Sequence, residues 1–152
     1  MNDIVSILAN KPESSEHYSR TSWDDVWMSM AIIISTRSLD PRNKVGAIIV
    51  TSDNTQVLSV GYNGDQKGGN NQVESNEPGH SGFLHAEINA LIKCDFNVHK
   101  SKKMYLTLSP CKMCAKAIIN GGIDEVHYLE EYRDFSGVNL LKEAGLYVRK
   151  HE

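Results

Sequence analysis

No stretch of this sequence is apolar for the roughly 20 consecutive residues that a membrane helix needs. The first twenty residues, MNDIVSILANKPESSEHYSR, have neither the basic start nor the apolar core of a leader peptide. Both shortages point to a cytoplasmic protein with no membrane partner. Positive charge is also short, since 16 Lys and Arg face 19 Asp and Glu for a net charge of −3. Polynucleotide binders usually present a basic face, so no nucleic-acid partner is expected. Cysteine is scarce, and an odd count of three cannot build a disulfide framework. Two of the three, Cys111 and Cys114, form a C-x-x-C pair, which points to metal or redox chemistry. Internal repeats and low-complexity tracts are missing too, so the 152 residues read as one domain that buries roughly 70% of its unfolded surface.

The pattern along the chain is that of alternating helices and strands. Residues 1–20 are polar, broken by Pro12, and read as an N-terminal arm, leaving 21–152 as the folded domain. Ser22 with Asp25 three residues on resembles a capping box, and Trp23, Val26, Trp27, Met30, Ile33 and Ile34 then recur at helical spacing. The run DPRNK (40–44) ends that helix. VGAIIV (45–50) and QVLSVGY (56–62) are β-rich runs separated by the turn-like TSDNT, which predicts a hairpin. A polar stretch rich in Gly and Asn follows from Asn63 to Gly82, long enough to be functional. LHAEINALIKC (84–94) predicts a helix, KMYLTLS (103–109) a strand, and CKMCAKAIING (111–121) a second helix that stops at Gly121-Gly122. EVHYLE (125–130), SGVNLLKEAG (136–145) and LYVRK (146–150) predict strand, helix and strand. The expected fold class is α/β: three α/β/α layers around a five-stranded sheet, mixed because of the hairpin.

Two segments carry chemistry. His85-Ala86-Glu87 and Pro110-Cys111-x-x-Cys114 each open a helix, where unsatisfied N–H groups favour anionic ligands. Cys111 and Cys114 at i, i+3 share a helix face, and a helix N-terminus favours thiolate over thiol. Two thiolates and one imidazole suit zinc and leave a fourth tetrahedral position for water, the pattern of a catalytic site. A structural zinc, or a chance C-x-x-C, would leave Glu87 and Pro110 without a purpose. Glu87, reaching the same point without ligating, could take a proton from that water and deliver it onward. Alone it would read as an ordinary first-turn acid.

The H-x-E…P-C-x-x-C pattern is the signature of zinc-dependent nucleobase deaminases. Together with SWDDVWMSMAIIISTRSLDPRNKVGAIIV, SVGYNG, MYLTLSPCKMCAKAIINGGIDEVHYLEEYRD and LLKEAG, it makes most of residues 22–148 resemble the deoxycytidylate (dCMP) deaminase family. The resemblance implies a cytidine-deaminase-like fold and hydrolysis of dCMP to dUMP and ammonia for thymidylate synthesis. It implies one catalytic Zn2+ per chain held by His85, Cys111 and Cys114, with Glu87 as proton shuttle. The Ala86 N–H would bond the pyrimidine 2-carbonyl, and the Ser109 carbonyl would accept from the 4-amino group. Asn63 would contact the sugar hydroxyl, and Tyr132 would wall the nucleotide. Activated water would attack C4. For the phosphate, Arg37, Arg42 and Lys44 lie where the family has part of its nucleotide site; Arg42 is the choice, with Arg133 next. The resemblance also implies a homo-oligomer.

Two departures from the family pattern matter. GYNGDQKGG lacks the proline common in the loop where relatives bind the effectors dCTP and dTTP. The cysteines that some relatives carry upstream of H-x-E for a second zinc are missing, leaving His80 as the one candidate there and a single zinc as the expectation. Other substrates of the same chemistry remain open: cytidine, a methylated or hydroxymethylated dCMP, dCTP, or tRNA adenosine. A zinc-stabilised nucleotide-sensing scaffold without catalysis is the rival from another class. The remaining singled-out residues have plain readings: Cys94 in the core, His127 structural, Asn63-Gly64 a turn pair, and HKSKK (99–103) a solvated basic turn. The Trp23/Trp27/Met30 stripe reads as core or subunit contact.

Overall fold

The computed structural model describes residues 20–152, so the expected arm lies, apart from Arg20, outside the described residues. Helix α1 (Trp23–Ser35) begins at Ser22, whose hydroxyl oxygen accepts the Asp25 N–H at 3.1 Å. The expected reciprocal box takes a variant form. Asp25 is a methylene shorter than Glu, and its carboxylate accepts the Ser22 hydroxyl at 2.6 Å instead of reaching the backbone. Asp24 and Asp25 also set negative charge at the positive end of the helix.

Strands β1 (Gly46–Thr51), β2 (Val57–Tyr62), β3 (Lys102–Leu108), β4 (Glu125–Glu130) and β5 (Tyr147–Lys150) form one sheet in the order β2-β1-β3-β4-β5. β1 runs antiparallel to both neighbours, whereas β3, β4 and β5 run parallel, so the sheet is mixed as expected. Every residue of β1 is buried, because it lies between two cores. Ala47 and Ile49 face one core, Ile48 and Val50 the other, following the two-residue period of a strand. β3 repeats the division, with Met104 and Leu106 on one side and Tyr105 on the other.

Among the described residues, helix α1 alone packs on the Tyr105 face, through Trp27, Met28 and Ala31. Helices α2 (Ala86–Lys93), α3 (Lys112–Asn120) and α4 (Ser136–Glu143) supply the other core, through Ala90, Leu91, Ala115, Ile118, Val138 and Leu141. Among the described residues the layers are therefore one helix, five strands and three helices. In the Trp stripe, Trp27 is buried, while Trp23 stacks on it at 5.0 Å between ring centroids and stays half exposed. The Trp27 indole N–H donates to Asn54 Oδ1 at 3.0 Å, tying α1 to the hairpin turn, where Asn54 takes a φ of 61°.

Cys94 lies in the core as expected. His127 is buried too, stacked on Tyr105 and bonded to Glu125. The basic turn departs from expectation. Lys102 is buried, and its ammonium donates to the carbonyls of Val98 and Lys100 at 3.1 Å each, closing the turn from inside. The stretch from Asn63 to Gly82 contains no helix or strand, and a bridge between Gly64 and Leu84 pins its two ends together.

Two glycines fix how the helices meet the sheet and each other. A Cβ at Gly61 on β2 would lie 2.2 Å from the Ala86 carbonyl oxygen, so β2 and the first turn of α2 touch backbone to backbone. A Cβ at Gly137 on α4 would lie 2.0 Å from the Pro110 carbonyl oxygen and 2.8 Å from the Cys111 carbonyl carbon. Both contacts are made with backbone, which cannot swing aside as a side chain can. Gly137→Ala is therefore expected to destabilise the fold by ~2 kcal/mol and to weaken metal retention by moving Cys111. Urea unfolding with parallel metal analysis checks this; an unchanged midpoint with full metal content would show that α4 yields without disturbing Cys111.

Candidate metal centre and substrate cavity

His85 and Cys111 do not lie within the first turns of their helices; each is the N-cap residue, in extended conformation. Neither side chain caps its own helix, which leaves both free to face the space between the two helix tips. Cys114, in the first turn of α3, is buried and completes the group. His85 Nδ1 lies 3.3 Å from Cys114 Sγ and 3.7 Å from Cys111 Sγ, and all three donor atoms fall within 4.8 Å of one another. Tetrahedral zinc, with Zn–N about 2.0 Å and Zn–S about 2.3 Å, holds nitrogen and sulfur about 3.5 Å apart. The donor set fits a single such ion, with one corner left for a non-protein ligand.

The titration of the group follows from the same geometry. Hydrogen bonds with Cys114 and then with His85 pull the Cys111 thiol down to about 4. Cys114 is pushed up, first by its hydrogen bond to Cys111 and then by burial. His85 is raised, chiefly by its hydrogen bond with Cys111, against the opposing effect of burial. A bound divalent cation would remove this proton sharing, since a coordinating thiol is deprotonated outright. Glu87, in the first turn of α2, is buried, and burial is the main reason its carboxyl is held above the ordinary carboxylate range. A buried carboxyl that holds its proton more tightly than usual suits repeated proton transfer.

A cavity of about 370 Å³ opens beside this group, and Glu87, His85 and Cys111 line it. The volume is that of a small-molecule site. Arg42, Asn63, Ala86, Ser109 and Tyr132 line the same cavity, and so does Arg133. Arg37 and Lys44, the neighbours considered for the phosphate, are not among its lining residues. His80 stands apart, exposed and paired with Glu77 at 3.2 Å. Ala86 is the first residue of α2, a position whose N–H has no partner within the helix. Ser109 sits at the end of β3, and its hydroxyl accepts the Tyr132 N–H at 2.7 Å, fastening the Tyr132 loop to the strand.

Arg42 Nη1 donates to the Asn76 carbonyl at 2.6 Å, and Arg133 Nη2 to the Pro78 carbonyl at 3.3 Å. The two guanidinium groups thus flank one loop at the cavity rim, and the Arg133 guanidinium lies 5.5 Å from the Tyr132 ring centroid. Sequence reasoning missed Asp40, which is buried and lines the cavity. Its only signal was the Asp-Pro pair, which reads equally well as a helix stop.

Comparison with known proteins agrees with this geometry. The family sequence model described as the cytidine and deoxycytidylate deaminase zinc-binding region matches residues 21–130. A probable deoxycytidylate deaminase of Drosophila melanogaster is 32% identical, over 98% of this chain and 82% of its own. The deoxycytidylate deaminase of Homo sapiens is 33% identical, over 84% of this chain and 79% of its own. Among solved structures, the dCMP deaminase of cyanophage S-TIM5 in complex with dCMP and dUMP is 33% identical, with a TM-score of 0.74. That match covers 88% of this chain and 100% of the phage chain. The two helix tips, the three donors they bring together and the breadth of these matches lead to one conclusion: the chain belongs to the zinc-dependent cytidine and deoxycytidylate deaminase family.

Proposed function

We propose that this chain hydrolyses dCMP to dUMP and ammonia, supplying dUMP for thymidylate synthesis. The observation that carries the reading is the buried Glu87 facing the same cavity as His85 and Cys111. It is supported by relatives described as deoxycytidylate deaminases and by the phage enzyme's complex with dCMP and dUMP.

His85, Cys111 and Cys114 hold the zinc ion, which, when bound, supplies the Lewis acidity that brings a water's pKa to near 7. Glu87 accepts a proton from the attacking water and delivers it to ring N3 as the new oxygen–C4 bond forms. The same carboxyl then takes the remaining proton from the new C4 hydroxyl and passes it to the 4-amino group, so that C4=O forms as that group leaves. The C4–N4 bond breaks, ammonia departs, and the ring becomes uracil. Burial of Glu87 keeps bulk water from competing for these protons. The Ala86 N–H donates to the pyrimidine 2-carbonyl, and the Ser109 carbonyl accepts from the 4-amino group. Tyr132 walls the base and sugar, Asn63 meets the sugar hydroxyl through its side-chain oxygen, and Arg42 meets the phosphate with Arg133 beside it. The same reading extends to a cytoplasmic homo-oligomer whose GYNGDQKGG loop takes dCTP or dTTP as effectors. Among the described residues, no helix is long and apolar enough to cross a membrane.

Four outcomes test this reading. Glu87→Gln should lower kcat for dCMP by about 10²- to 10⁴-fold while leaving zinc content and circular dichroism unchanged. Equal turnover by the variant would favour the non-catalytic scaffold. Assays of dCMP beside cytidine, dCTP, 5-hydroxymethyl-dCMP and a tRNA anticodon stem should show the highest kcat/KM for dCMP. Removing the 5′-phosphate separates the arginines' role from general damage. Arg42→Ala, and to a smaller extent Arg133→Ala, should raise KM for dCMP by roughly 10- to 100-fold and leave that for deoxycytidine unchanged. Chelation should abolish activity and lower the melting temperature, and added zinc should restore both; activity that survives complete metal removal would refute the proposed chemistry.

A further inference from the structure

Asp40 engages more partners than a loop-capping residue needs. Its Oδ1 accepts the backbone N–H groups of Arg42 at 2.8 Å and Asn43 at 3.1 Å, which is the ordinary work of an Asp that begins a turn. Its Oδ2 is left out of that turn. Among the described residues it accepts a single contact, from Asn63 Nδ2 at 3.3 Å, long for an N–H···O bond. A carboxylate oxygen has room for more than one donor, and Asp40 is only 6% exposed on a wall of the substrate cavity. A buried charge with an acceptor this lightly engaged favours a ligand that brings a hydrogen.

Asn63 cannot bring that hydrogen from the protein side. Its Oδ1 accepts the Val45 N–H at 2.8 Å, and its Nδ2 donates to the Asn43 carbonyl at 2.8 Å as well as to Asp40. A backbone N–H pairs only with oxygen and a carbonyl only with a donor, so these partners fix the amide orientation. Both amide hydrogens are engaged, and what the Asp40–Asn63 pair offers the cavity is acceptors alone. The incoming group must therefore donate, and it must not be an anion. dCMP has two donors outside its phosphate, the 4-amino group and the sugar 3′-hydroxyl. The amino group is the one that leaves beside Glu87, and the phosphate is repelled by the carboxylate.

We propose that Asp40 is a specificity-determining residue that reads the 3′-hydroxyl as a hydrogen-bond donor, with Asn63 bracing the carboxylate and sharing the same hydroxyl through its remaining lone pair. This rests on the dCMP reading of the site. Its consequence is a demand for a hydroxyl proton at the 3′ carbon, not merely for space or polarity there.

Steady-state kinetics with dCMP, its 2′,3′-dideoxy analogue and its 3′-fluoro-2′,3′-dideoxy analogue test it. The fluorine fills the space of the hydroxyl but has no proton. In the wild-type protein, kcat/KM for both analogues should fall by roughly 10- to 100-fold against dCMP. In Asp40→Asn, which gives up the charge and one acceptor, dCMP should lose a similar factor, mostly in KM. The gap between dCMP and the analogues should then narrow to about 3-fold or less, because substrate atom and side chain act as a coupled pair. Wild-type turnover of either analogue at the dCMP rate would overturn the proposal and needs no variant to fold. Equal losses on all three substrates in Asp40→Asn would overturn it too, by showing that Asp40 only holds its turn. Failure of the wild-type protein to convert dCMP would instead remove the proposed function, and this specificity with it.

Discussion

Three groups that become anions on losing a proton, Cys111, Cys114 and Glu87, are brought by two helix N-termini into one partly buried space, and the rest of the site is organised around compensating them. The helix ends help, since their free N–H groups carry partial positive charge. They do not suffice: burial and mutual proximity push Glu87 and Cys114 towards their protonated forms. A divalent cation resolves the conflict for the sulfurs, which become thiolates, and leaves Glu87 as the group whose proton is still negotiable.

Holding the two tips together is a task of the backbone. The first turn of α2 lies directly on β2 at Gly61, and Pro110-Cys111 lies directly on α4 at Gly137. Neither contact leaves room for a side chain, so the spacing of the donor atoms is set by main-chain contact and not by the rotamers of long residues. The sheet beneath is stiff for a similar reason. β1 is enclosed on both faces, by α1 on one and by the core shared with α2 and α3 on the other. Catalytic geometry held to within a few tenths of an ångström needs supports of this kind.

Much of this was legible in the sequence, for identifiable reasons. H-x-E and P-C-x-x-C have fixed spacing and an unusual residue set, so they announced the metal group, and the helix and strand periods announced the elements that carry it. The unbroken apolar run VGAIIV is compatible with burial on both faces, but without alternation it does not say which residue meets which core. The N-cap positions of His85 and Cys111 differ from the first-turn positions expected by only one residue, a distance that composition does not resolve. Lys102 shows another limit. Among the basic residues of HKSKK nothing marks the one that turns inward, since the carbonyls that receive it come together only when the turn forms. Asp40 was hidden by a competing signal: before Pro41 it reads as a helix stop, and its place on the cavity wall depends on Asn63, twenty-three residues away.

The bridge between Gly64 and Leu84 makes the segment between them a closed excursion. Both ends are anchored in the sheet-and-helix frame, so length or composition can change in between without straining the donor atoms at His85. Loop-closure entropy grows only slowly with length, by about 0.6 kcal/mol for each doubling. The frame can therefore absorb insertions or deletions at this point while the spacing of the three donor atoms at the helix tips stays as it is.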